Sequence, residues 1–293
     1  MLEYFLLVSR RVKRGGVSGD GAAGDFELLA KGRRRHFGDG TEFADHRVYV
    51  QGDDLRHLDW NLFARLDEQF VKRFEAETDR NIYFLLDCSA SMQAGNGNSN
   101  KYDYARKIIA ALAYIVLSDL HRVSVICFAD GVRATFPLTR GKGKFLNLLK
   151  FLEQIKPTGN ATNIRLSVND FVRQTRRAGV AVIVSDFFDR GNFQFAIDQL
   201  RYNKFEPKII QLHADIEANP QLQTNSNLNL ISSENETEIN VTINQSLLNQ
   251  YKTCFNNFLA ELKSHCVKSN IEHTITNTSV PFDKLILKMI HNI

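Results

Sequence analysis

The chain is poor in the residues that mark several classes of protein. It has only four cysteines among 293 residues (Cys88, Cys127, Cys254 and Cys266), and none stands in a CxxC pair. Cys254 and Cys266 share one predicted helix, about 18 Å apart at helical rise, too far for a disulfide to bridge. Four reduced thiols predict a cytoplasmic protein, in which N-x-S/T triplets such as Asn235 to Thr237 carry no weight. No apolar run approaches the ~18 residues of a membrane span. The leading "MLEYFLLVSRR" has too short an apolar stretch for a signal peptide, and its charges follow that stretch instead of preceding it. Excess charge is missing too: a net charge of +4 gives no reason to expect a nucleic-acid partner. Two basic knots, "SRRVKR" (Ser9 to Arg14) and "KGRRRH" (Lys31 to His36), read as solvated surface or as a contact with an acidic partner or an anionic membrane surface. Internal repeats are also absent.

What is present is an ordinary globular composition, 43% hydrophobic and 24% charged, enough for a proper core. Residues 1–36 read as a basic helix and a Gly-rich linker. Residues 37–80 form a small β-containing extension, with "HRVYV" and "QFVKRFEAE" as short strands. Residues 81–293 read as one α/β domain with a C-terminal extension. "NIYFLLD" and "GVAVIVSD" are unbroken apolar runs, as expected of strands buried on both faces. "KYDYARKIIAALAYIVLSDL", "KFLNLLKFLEQI", "TNIRLSVNDFVRQTRR" and "FQFAIDQLRYN" show helical spacing. The third of these has Thr162 or Asn163 as its N-cap. Asp130-Gly131 separates two strand-like runs and predicts a hairpin whose turn positions take positive φ. Strands alternating with helices predict a doubly wound, mostly parallel sheet, and the hairpin adds one antiparallel edge strand. Beyond Asp215 come a polar hairpin, a long helix, a strand and a last helix.

In an open parallel sheet, ligands bind beyond the carboxyl ends of the strands. "DCSAS" follows the first central strand, "SDFFD" a later one, and "TGNATN" leads into the third helix. Together they predict that Asp87, Ser89, Ser91, Thr162 and Asp186 meet at one place. All five offer oxygen. Such a set suits a hard cation, Mg²⁺ first, with Ca²⁺ or Mn²⁺ next. Hydroxyl ligands leave the ion's charge partly unquenched, so that it can take one more carboxylate, supplied by a partner. The plain alternative is that these serines only cap the turn and the next helix.

Other chemistries are weaker fits. Ser89, Asp186 and His213 run in the Ser…Asp…His order of an α/β-hydrolase, which makes a serine hydrolase the alternative function. The nucleophile elbow, however, needs small residues where Asp87 and Ser91 stand. A D-x-D phosphatase would need an acid at Ser89. Cys88 lacks the neighbouring cation of a reactive thiolate, and Asp87 would raise its pKa. Asp53, Asp54, His57 and Asp59 read either as a second metal site or as partners of Arg47, Arg56 and Arg65 in a network holding the extension to the sheet.

The pattern D-x-S-x-S, a later Thr and a later Asp resembles the metal-ion-dependent adhesion site of von Willebrand factor A domains. The segment "GDGTEFADHRVYVQGDDLRHLDWNLFAR" resembles the stretch that marks the DUF58 family, through Glu42, Phe43, Arg47, Tyr49, Gly52, Asp53, Asp54, Arg56, Asp59, Trp60, Ala64 and Arg65. The resemblance covers roughly residues 37 to 293. It implies a von Willebrand A-like domain encoded beside MoxR-type AAA+ ATPases, with a role in assembling or activating protein complexes, and it carries over no catalytic activity; the expectation is a non-enzymatic interaction protein with a MoxR-type AAA+ ATPase or its client as partner. Where the family often has an acid after the Thr, this chain has Asn163, which lowers the negative charge near the site and predicts weak metal affinity.

Overall fold

The computed structural model describes residues 37–38, 42–66, 68–75, 80–95, 100–157, 162–189, 193–220, 227–231 and 238–291. The helix and linker expected over 1–36, with both basic knots, lie outside these residues. So does most of the "TGNATN" loop. By its internal contacts the chain forms a small unit, 27–79, and a large one that contains Arg80–Ile293.

The small unit is an antiparallel sheet of β1 (Phe37–Gly38), β2 (Glu42–Val48) and β3 (Phe70–Glu75), with β3 in the middle, plus a short helix α1 (Trp60–Leu66). Gly52 turns the chain after β2 at φ 109°, a conformation that needs glycine. Asp59 accepts the amides of Asn61 and Leu62 and so caps the start of α1.

The large unit begins with β4 (Asn81–Asp87), α2 (Lys101–Ser118), β5 (Arg122–Phe128), β6 (Val132–Arg140) and α3 (Phe145–Gln154). It continues through α4 (Ile164–Gln174), β7 (Val180–Ser185), α5 (Phe193–Tyr202), β8 (Glu206–His213) and the single turn α6 (Asp215–Ala218). A hairpin of β9 (Asn227–Ile231) and β10 (Glu238–Thr242), the long α7 (Gln245–Lys268), β11 (Glu272–Asn277) and α8 (Phe282–His291) complete it. Six strands form one sheet in the order β11-β8-β7-β4-β5-β6. All neighbours are parallel except the edge pair β5–β6. This is the doubly wound, mostly parallel sheet with one antiparallel edge strand that the alternation of elements predicts.

Strand alternation divides the core. Tyr83 and Leu85 of β4 pack with Ile126, Ile183 and Ile209 against Ile164, Val168 and Phe171 of α4, Ala196 and Leu200 of α5, and Leu262 and Cys266 of α7. Ile82, Phe84 and Leu86 alternate to the other face, where α2 buries Ala105, Ile108, Ile109 and Leu112. At the start of the adjacent strands β4 and β7 the backbone approaches closely at Gly179, where a Cβ would stand 2.1 Å from the Asn81 carbonyl oxygen.

The chain runs outward from β4 to β5 and β6, then crosses back to β7 on the other side of β4. The order therefore reverses between β4 and β7, which makes the carboxyl ends of those two strands the switch point of the sheet, where ligands of open parallel sheets bind. The Asp130–Gly131 hairpin forms, but neither residue takes positive φ. Its turn is not the expected type, because β5 and β6 shift register between Cys127 and Phe128 and the Ala129 amide donates to the Gly131 carbonyl. Among the described residues no helix is long and apolar enough to cross a membrane.

Candidate metal centre

Asp87 is the last residue of β4, and Asp186 follows the last residue of the adjacent parallel strand β7, so the two acids stand at neighbouring strand ends on the switch point. Both are almost wholly buried. Ser185 ties Asp87 to the loop that carries Asp186. The Ser185 hydroxyl donates to Asp87 Oδ2 at 2.5 Å and accepts the Phe187 amide at 2.8 Å. Phe187 holds φ 61°, a left-handed conformation that is uncommon for a bulky residue and that turns the chain sharply after Asp186. On the other side, the Ser89 amide donates to Asp87 Oδ1 at 2.9 Å. The Ser89 and Ser91 hydroxyls share a hydrogen bond of 3.0 Å. Ser89 stands at the N-cap of the short 3₁₀ turn Ala90–Gln93, yet its side chain makes no capping bond. The bland role considered for these serines is therefore not the one Ser89 fills.

Thr162 is brought to the same rim by its neighbours. The Asn163 amide donates to the Ala129 carbonyl just past β5, and the Ile164 amide donates to Asp189 in the loop after β7. Asn163 is the N-cap of α4, its side chain accepting the Leu166 amide at 2.8 Å. No hydrogen bond joins Thr162 to the other four candidates. Its Oγ1 is buried and, among the described residues, has no hydrogen-bond partner.

The electrostatics favour a cation. Burial pushes the Asp87 carboxyl up to about 7, and the neighbouring Asp186 charge adds to that; the Ser185 and Ser89 hydrogen bonds oppose it. Part of the negative charge is met by a residue the sequence reading missed. Lys101, at the first position of α2, donates from Nζ to Asp186 Oδ2 at 2.6 Å and to Glu217 Oε1 at 2.5 Å. Glu217, on α6 after β8, was missed as well; its Oε2 accepts the Ala214 amide at 2.7 Å. Among the described residues no three His, Cys, Asp or Glu side chains form a metal cluster. The candidate set differs in kind, with two carboxylates and three hydroxyls.

A hydrolase relay is not assembled. The Asp186 oxygens take Lys101 and the Phe188 amide, and among the described residues His213 has no hydrogen-bond partner at Nδ1, its ring lying against Phe255. Burial, then Lys101, lowers the His213 pKa. Cys88 is a buried thiol. A hydrogen bond to Cys127, then burial, raises its pKa well above the ordinary value, with Asp87 adding to the rise.

In the small unit, Asp53 pairs with Arg47 at 2.5 Å and Asp54 with Arg56 at 2.6 Å. Asp59 takes His46 at 2.9 Å and Lys72 at 3.4 Å, and these contacts, led by the His46 hydrogen bond, hold its carboxyl at about 2. These acids are spent on pairs within the unit, which argues against a second metal site.

A family model described as protein of unknown function DUF58 matches residues 45–257. The chain belongs to the DUF58 family. Curated relatives of this DUF58 protein include uncharacterized proteins of Mycobacterium bovis and Mycobacterium tuberculosis, each 27% identical over 152 residues. Those alignments cover 51% of this chain and 48% of each relative, so the chain spans about half the length of the curated relatives it matches. Among solved structures, the conserved hypothetical protein BatB from Bacteroides thetaiotaomicron aligns at 15% identity with a TM-score of 0.45, over 73% of this chain and 98% of that one. Proximal thread matrix protein 1 from the mussel byssus aligns at 19% identity with a TM-score of 0.39, over 47% and 38%. Likeness of that degree carries no functional weight.

Proposed function

We propose that this DUF58 protein is a non-enzymatic, metal-dependent interaction module that captures an acidic side chain of a protein partner. The observation that carries the reading is the buried, unpartnered Thr162 hydroxyl on a rim that also holds the buried carboxyls of Asp87 and Asp186. A hydroxyl in that state is costly unless something absent from the protein alone completes it. An oxygen-rich group with two acids fits a hard divalent cation, Mg²⁺ first and Ca²⁺ or Mn²⁺ next.

Ser89, Ser91 and Thr162 would supply hydroxyl ligands, and Asp87 and Asp186 the charge. The ion would supply a Lewis-acidic position for one carboxylate from outside. Asp87 is held by Ser185 and the Ser89 amide, so the floor of the centre is preorganised. The family resemblance makes a MoxR-type AAA+ ATPase or its client the first partner to test, with the protein working in the cytoplasm.

The test is capture of partner from native lysate by full-length protein, with Mg²⁺ or with chelator. Asp87→Ala and Asp186→Ala are each expected to abolish the Mg²⁺-dependent capture while leaving the circular dichroism spectrum intact. Equal capture by both folded variants in the presence of chelator would sink the mechanism. Labelling of Ser89 by a fluorophosphonate, blocked by His213→Ala, would instead support the hydrolase alternative.

A further inference from the structure

Lys101 on this rim is not explained by ligand chemistry. It opens α2, an 18-residue helix, at the end where the helix dipole disfavours a cation. Its side chain is 0% exposed, which adds a desolvation penalty. Both costs are offset by partners far away in sequence. Nζ donates to Asp186 from α2 across to the loop after β7, and to Glu217 on the turn after β8. The Phe188 ring lies 4.8 Å from the same nitrogen. Asp186 thus carries a protein-derived cation on one oxygen and the Phe188 amide on the other.

We infer that Lys101 is a tethered counter-cation that competes with the divalent ion for Asp186, with Glu217 as the second carboxylate on which the ammonium leans when the ion is bound. This rests on the metal-centre reading of Asp87, Ser89, Ser91, Thr162 and Asp186. Three carboxyl groups, Asp87, Asp186 and Glu217, face one ammonium on this rim, a full charge of two negative units that a divalent ion cancels. Without Lys101 the loaded centre would stay negative and repel an incoming carboxylate. The lysine therefore weakens binding of the ion alone and keeps the loaded centre receptive to an acidic partner. The predicted consequence is that ion and partner carboxylate load the site together.

The test uses full-length protein and Mn²⁺, with the free ion followed by electron paramagnetic resonance. Lys101→Met is expected to tighten Mn²⁺ binding by about tenfold or more, since a unit charge beside a buried dication is removed. Glu217→Gln is expected to weaken it several-fold, because the whole ammonium then falls on Asp186. In the Lys101→Met background the Glu217→Gln effect should shrink, because Glu217 acts through the lysine. Wild-type binding that is lost in Asp87→Ala but not tightened in Lys101→Met overturns the role of Lys101 and leaves the metal centre standing. No Mn²⁺ binding by either wild type or Lys101→Met overturns both. If Lys101→Met does not fold, Glu217→Gln decides alone, and unchanged or tighter Mn²⁺ binding rejects the inference.

Discussion

A buried hydroxyl without a hydrogen bond costs a folded protein roughly 1–3 kcal/mol. Thr162 Oγ1 is such a group. Thr162→Val keeps the shape of the side chain and removes the orphan atom. The expected result is metal-free protein at least as stable as wild type in urea denaturation, together with weaker Mn²⁺ binding in the same preparation. A variant that loses stability without losing ion affinity would make Thr162 a packing residue. The five oxygen-bearing candidates could be named from the sequence because each lies at the end of a recognisable strand, just after one, or just before a recognisable helix. Lys101 and Glu217 were not: they meet across 116 residues, and no local pattern marks a lysine on the first turn of a helix as buried. Ser185 was quoted in its motif and passed over, because its bond to Asp87 spans 98 residues.

At the scale of elements, α4 shows how a local signal and a site share one residue. Asn163 was a candidate N-cap, and its side chain accepts the Leu166 amide while its own amide is tied to Ala129. Asn163→Ala removes the side-chain cap and keeps the amide. It is expected to cost about 1 kcal/mol of stability, read as a lower urea midpoint with an unchanged slope. The strands and helices of the large unit fall where hydrophobic periodicity places them, because burial on one face or two is written into every third, fourth or second residue. The Asp130–Gly131 turn departed from expectation. The dipeptide permits positive φ but does not require it, and the register shift in β5–β6 decides the backbone there. Phe187 at φ 61° is the opposite case, since nothing in its side chain announces a left-handed residue; the Ser185 hydrogen bond and burial beneath the rim hold it there.

For the molecule as a whole, stability should depend on pH through half-buried imidazoles. Burial, then Lys263, lowers the His273 pKa to about 4, and its ring bonds Gln211 at 3.2 Å. Between about 4 and about 6.5, the unfolded chain binds a proton here that the folded chain does not, so the contribution of His273 to stability falls as pH is lowered through that window, opposite in sign to that of Asp87. His213, also lowered by burial, adds in the same direction. Urea midpoints of wild type should drop more steeply from about pH 7 to about pH 4.5 than those of His273→Gln. Parallel curves for the two proteins would remove His273 from the account.

The sequence by itself determined the alternation of strands and helices, the antiparallel edge, the oxygen chemistry of the loop residues and the membership of the DUF58 family. Those features depend on neighbours within a few residues or on a short motif, and both are visible in one dimension. Only the tertiary structure decided that β7 lies beside β4 on the side opposite β5, which sets Asp186 across from Asp87. Only it showed that Thr162 is left without a partner, and that Lys101 reaches both Asp186 and Glu217. The physical reason is that strand order follows from crossover connections and packing between distant segments, whereas periodicity reports only which face of each segment avoids water.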